Sequence, residues 1–419
     1  MVNFVTHIIP HFNSLTMKQI YQPTISNILL SILLFLNLIL YTKQCNQNDK
    51  IALLKIKRQL GNPSWTNSWN TTSNCCDSWS NKIVTISCND RDRVVELTIF
   101  NDTKISTKIP RSIGDLASLE VLTMDQMPGL HGLIPAKTIC RLTNLSSLAF
   151  GTTNLTGRIP RCLGNLTELL HIGITDSKLS GPIPPALAQL PKLGSIFLKS
   201  NSLSGPIPNF HITELTFINI GYNNLTGPIP TSIGRLFRLN VLVLSNNQLT
   251  GPLLPSLGLL SSLYWLDLSN NRFIGSIPSK FGSIKDSSYL QLQNNQLTGP
   301  IPKSLGQLNI IWVDISSNRL TGDASFLFGR NKSTERIILN NNMFKFNFSS
   351  VELPENLFIL NISHNKIYGS LPKEVANMTT FDCSYNHLCG AIPKGCEKFG
   401  KASFVHNMCL CGPPLSPCK

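Results

Sequence analysis

The chain has 419 residues, a formal net charge of +14, 42% hydrophobic residues and only 14% charged ones. Its glycines and prolines are plentiful but periodic, which argues against a disordered linker. The absence of a dense Lys/Arg run argues against a nucleic-acid-binding arm, so the basic balance points to anionic lipid or an acidic polysaccharide.

In chain order, residues 1–44 read as a signal peptide. Ile28 to Leu40 is apolar apart from Ser31 and Asn37, and Lys18 precedes it. That is the length of a signal-peptide core and short for a membrane span. Cleavage within Tyr41–Gln44 would leave Cys45 near the mature start; Met17 is the alternative initiator, and an uncleaved anchor is the competing reading.

Residues 45–92 read as an N-terminal cap rich in cysteine. Asn48-Asp49 followed by Ile51, Leu53, Leu54, Ile56 and Leu60 predicts a capped amphipathic helix. Cys45, Cys75, Cys76 and Cys88 would staple it, most simply as Cys45–Cys75 and Cys76–Cys88, although spacing alone does not fix the pairing.

From residue 93 to residue 393 the chain repeats with a period near 24, as in LNVLVLSNNQLTGPLLPSLGLL and LYWLDLSNNRFIGSIPSKFGSI. Asn201, Asn223, Asn247, Asn271, Asn295, Asn318, Asn342, Asn365 and Asn386 mark the register in steps of 21–24, and Thr153 and Ser177 hold the slot earlier. Alternating apolar residues such as Leu266 and Leu268 should point inward from a short strand. The asparagine amide carries two donors and an acceptor, enough to satisfy backbone groups where the chain turns. Gly275 and Gly299 allow the next bend, and Ile277-Pro278 sets an extended far side. One such unit cannot bury its own face, so stacking is compulsory. The expected fold is a leucine-rich-repeat solenoid, a right-handed superhelix of about 13 plant-type repeats. Its concave face is a parallel β-sheet, its convex side is 3-10 or extended, and disulfide-stapled caps close the ends.

Residues 394–419 form the second cap. Cys389–Cys409 and Cys411–Cys418 would close the last turn; Cys140 and Cys162, on successive outer turns, are placed to bridge, and Cys383 is expected to be a buried free thiol. Cys396 has no assigned partner. Ten Asn-x-Ser/Thr sequons, at Asn70, Asn101, Asn144, Asn154, Asn165, Asn224, Asn331, Asn347, Asn361 and Asn377, fit an extracellular glycoprotein.

Candidate binding residues are the outward strand positions: Asp125, Asp176, Phe197, Phe217, Tyr222, Trp265, Asp267, Tyr289, Trp312, Asp314 and Asp382. Trp265, Tyr289 and Trp312 share one slot in successive repeats and form an aromatic column, either a hot spot or a self-packed sheet face. The histidines are scattered without metal spacing, and no nucleophile constellation or phosphate loop is evident. No catalytic residue, metal or cofactor is therefore expected.

Three stretches carry a family resemblance: CNQNDKIALLKIKRQLGNP, the irregular LEVLTMDQMPGLHGLIP, and the block from GDASFLFG to HNMCLCGPPLSPC. On these the chain resembles the plant polygalacturonase-inhibiting proteins, a family that includes an antifreeze-type member. The resemblance implies a secreted cell-wall protein in plant defence. It would occlude the cleft of a fungal or insect endopolygalacturonase, touch pectin through basic residues and act as a monomer. Two other readings are ice binding, through Thr226, Thr250, Thr298 and Thr321, and a secreted receptor-like module for a peptide or wall fragment. The chain departs from the family in having two or three more repeats, near Ile220–Ile277, and in its extra cysteines.

Overall fold

A computed structural model describes residues 44–284 and 289–418. The proposed signal peptide, its cleavage segment and Met17 lie outside the described residues, apart from Gln44. Residues 45–419 make up one structural unit.

The N-terminal helix runs from Gln47 to Gln59. Its N-cap is Asn46, not the expected Asn48-Asp49 pair: Asn46 Oδ1 accepts from the Asn48 and Asp49 amides at 3.0 and 3.4 Å. Asp49 is freed for another task. Fully buried, it accepts from Arg93 Nε and Nη2 and from the Val94 amide, joining the helix to the strand that begins at Val94. Ile51 faces outward, while Ala52, Leu53 and Ile56 are buried. Trp69 and Trp79 stack at 5.2 Å beneath the helix. The antiparallel hairpin Val84–Cys88/Val94–Phe100 then leads into the repeats.

The strands that follow Val94–Phe100 are all parallel to it, one per repeat, ending at Thr380–Asp382. Leu266 and Leu268 are fully buried, as the period-two alternation requires. The expected bend glycines have positive φ, +77° at Gly275 and +78° at Gly299. Proline then starts the outer 3-10 turns: Pro278 and Pro302, both extended, cap Ser279–Ser283 and Lys303–Gln307. Between bend and turn, a second run of short parallel strands, such as Gln248–Pro252, Arg272–Gly275 and Gln296–Pro300, builds a lateral sheet. The sheet that carries the site is thus held from behind by leucines and from the side by this ladder.

The recurring asparagines join neighbouring repeats. Asn271 Oδ1 accepts from Leu249 N, and its Nδ2 donates to the carbonyls of Leu244, Leu268 and Ser269 at 3.0–3.2 Å. The ladder runs one step further than the sequence register suggested. Asn407, inside the C-terminal cap, accepts from Leu388 N and donates to Cys383 O.

The irregular second repeat is a bulge in the strand Val121–Leu133, where the register shifts between Met127 and His131. Gly129 is required there, because a Cβ would lie 1.8 Å from the Ile105 carbonyl oxygen. The disulfides are Cys45–Cys75, Cys76–Cys88, Cys140–Cys162, Cys389–Cys409 and Cys411–Cys418. Cys383 and Cys396 are free and buried among Phe381, Phe399 and Phe404 at the C-terminal end. Burial pushes both thiols up, Cys396 to about 11, so they stay protonated and are poor nucleophiles.

Candidate concave binding face

Each concave strand presents two outward side chains, and strand pairing aligns them into rows. One row reads Phe217, Val241, Trp265, Tyr289, Trp312 and Arg336; the next reads Asn219, Val243, Asp267, Gln291, Asp314 and Ile338. The aromatic column is continuous: Trp265 lies 5.4 Å from Tyr289, which meets Trp312 at 6.2 Å edge to face. Arg336 extends it, with its guanidinium carbon 4.9 Å from the Trp312 ring centre and 5.3 Å from that of Phe358. Towards the N-terminus Phe197 and Phe217 stack at 4.6 Å. Tyr222 is well exposed, at 59%.

Four buried side-chain polar atoms have no partner among the described residues; two of them, Trp265 Nε1 and Trp312 Nε1, belong to this column, and a third, Gln293 Oε1, lies just past the Tyr289–Gln291 strand. A water-shielded donor without an acceptor costs about 1–3 kcal/mol, so neither indole N–H stabilises the fold by hydrogen bonding.

The acidic candidates divide. Asp125 and Asp382 are half-buried, and exposed Asp176 lies 3.8 Å from Lys199 Nζ. Asp267 and Asp314, expected to stand in solvent, are instead only 9% and 7% exposed. Their Oδ1 atoms fold back to accept from the amide and hydroxyl of Ser269 and Ser316. Asp382 accepts from Ser384 in the same way, and Asn361 does so from Ser363.

Burial, reinforced by the nearby Asp267 charge and opposed by the Ser316 hydrogen bonds, raises the Asp314 carboxyl above its ordinary range. A folded-state pKa above the unfolded one means stability that is present at low pH and lost as pH rises through the folded value. Asp314→Asn keeps the acceptor that Asn361 shows to be sufficient. It should melt above wild type at neutral pH and converge with it as pH falls to the usual carboxylate range. Parallel melting curves across pH would refute this.

Of the sequons, Asn70, Asn101, Asn144, Asn165, Asn224, Asn331, Asn347 and Asn377 are exposed. Asn154 is half-buried and donates to Pro128 O at 2.6 Å. Asn361, also half-buried, stands on the concave face. Thr226, Thr250, Thr298 and Thr321 lie on the lateral sheet, but not as a flat hydroxyl array: Thr250 pairs with Arg272, Thr298 with Arg319, and Ile274 interrupts the row.

Residue spacing did not flag two features. His364, Tyr385 and His406 stack in sequence at 4.1 Å along the row of left-handed turn residues. Val241 interrupts the aromatic row with a small side chain, and Val243 stands beside it in the next row, a signal visible only when residue size is compared across repeats.

A leucine-rich repeat N-terminal domain matches residues 46–81, and leucine rich repeats match 214–236, 238–260, 262–284, 288–308 and 356–378. Polygalacturonase inhibitor 2 of Arabidopsis thaliana is 48% identical over 81 residues, 18% of this chain and 24% of its own. The chain spans between a quarter and a third of the length of such relatives. The PEPR1–AtPEP1 structure superposes with a TM-score of 0.61 at 25% identity, covering 88% of this chain and 59% of the other. A plant ice-binding protein is 33% identical over 90% of this chain and 99% of its own, with a TM-score of 0.42. The chain is a leucine-rich-repeat protein, and over the stretches that match it is similar to the polygalacturonase inhibitors.

Proposed function

We propose that the protein is a secreted binding protein, not an enzyme, that inhibits an endopolygalacturonase by covering its cleft with the concave face. The observation that carries this reading is the Trp265–Tyr289–Trp312 column, whose two indole nitrogens have no partner among the described residues, a half-buried aromatic surface of the kind that anchors protein interfaces. The similarity to polygalacturonase inhibitors supplies the target class. Strands about 4.8 Å apart make the sheet roughly 60 Å long, ample for about 800 Å² per partner.

Contact with the pectin of the cell wall is a second part of the reading. The lateral strands hold Lys178, Arg272 and Arg319 and no acid, and exposed Lys345 and Lys366 continue the line. A polyanion laid along that ladder would meet cations repeatedly.

The test is inhibition of a panel of fungal and insect endopolygalacturonases by the purified protein. Saturable inhibition of at least one enzyme is expected; none across a broad panel would sink the inhibitor reading and leave the fold untouched. Thermal hysteresis and capture of a peptide from an apoplast extract are the corresponding signs of ice binding and of a receptor-like role.

A further inference from the structure

Between Phe217 and Trp265 the aromatic row steps down to Val241, with Val243 beside it. The step is a groove of about 370 Å³, floored by the two valines and walled by Phe217 and Trp265.

Two independent observations give the groove a chemistry. Asp267 lines it while only 9% exposed, and no ion pair among the described residues reaches its carboxylate. Both Ser269 bonds fall on Oδ1, which leaves Oδ2 to a ligand. Gln291, also lining the groove and 7% exposed, has no side-chain hydrogen bond among the described residues. Among the described residues that line it the one cation is Lys199, which lies 3.8 Å from Asp176. An occupant must therefore have a flat body that tolerates aromatic walls, a positive charge, and several N–H donors. Those are the properties of a guanidinium; an ammonium is a compact point charge with no flat face. The same row already holds one such arrangement, since Arg336 lies over Trp312 and Phe358.

We propose that this groove receives an arginine side chain projecting from the partner protein. The proposal rests on the concave face being the binding face. The probe is the peptide N-acetyl-Gly-Arg-Gly-amide, titrated calorimetrically against the wild type and against Asp267→Asn and Val243→Phe. Its citrulline counterpart, of the same shape but neutral, serves as control. Asp267→Asn keeps the turn, as Asn361 does with Ser363, and both variants are first shown to melt as the wild type does. Saturable binding of the arginine peptide is expected, with a loss of about tenfold or more in either variant and for citrulline. Absence of binding, equal binding of citrulline, or unchanged binding by both variants overturns the proposal. Enzyme inhibition is measured separately on the same proteins. Wild-type inhibition by Val243→Phe overturns the groove and leaves the inhibitor reading. Saturable arginine binding without inhibition of any enzyme does the reverse.

Discussion

Asn295→Ala will destabilise the solenoid by at least about 3 kcal/mol, more than any substitution of an exposed concave residue. The side chain is 9% exposed and makes four hydrogen bonds: Oδ1 accepts from Phe273 N at 3.0 Å, and Nδ2 donates to the carbonyls of Leu268, Leu292 and Gln293 at 3.0–3.2 Å. Leu292 and Gln293 belong to its own repeat and Phe273 and Leu268 to the repeat before, so alanine strands backbone groups in two repeats at once. Each buried group left unsatisfied costs about 1–3 kcal/mol, reduced where the turn relaxes to admit water. Stability in a repeat array is largely nearest-neighbour coupling, so the loss falls on the interface that transmits cooperativity. Asn295→Asp should be nearly as harmful, because it places oxygen against three carbonyls. Asn407→Ala, at the end of the ladder, should cost less. Urea unfolding of the three variants decides the matter; an unchanged midpoint for Asn295→Ala would refute the role of the ladder.

How much of this was legible in the sequence depends on what each residue answers to. Leu266, Leu268 and the asparagines are set by the repeat period alone, and the structure places them where the period puts them. Asp267 and Asp314 were misread, because strand parity gives the face of the sheet and not the cover on that face. Their strand-register neighbours lie roughly 24 residues away, and each carboxylate folds onto a serine two residues on. The N-cap slipped from Asn48 to Asn46 for a related reason: Asp49 is held by Arg93, 44 residues distant, which no local pattern reports. The groove at Val241 and Val243 is written in the sequence, but across repeats, where one small residue stands in a row of large ones.

Trp265→Ala/Trp312→Ala will abolish inhibition while leaving the fold largely intact. Buried aromatic anchors typically contribute about 2–4 kcal/mol each to an interface, so the pair should weaken inhibition by about a thousandfold or more. Stability should change much less. Both rings are half-buried, and both carry a shielded N–H with no acceptor, so truncation removes a standing penalty along with the lost contacts. Trp265→Phe/Trp312→Phe separates the two effects. Phenylalanine keeps the column and the surface for Arg336 but deletes both unpartnered donors. If a partner satisfies those donors, the phenylalanine variant melts at or above wild type and yet inhibits more weakly. Inhibition at wild-type strength by the phenylalanine pair would show that the indole nitrogens have no partner in the complex. The same result from the alanine pair would remove the column from the binding face altogether.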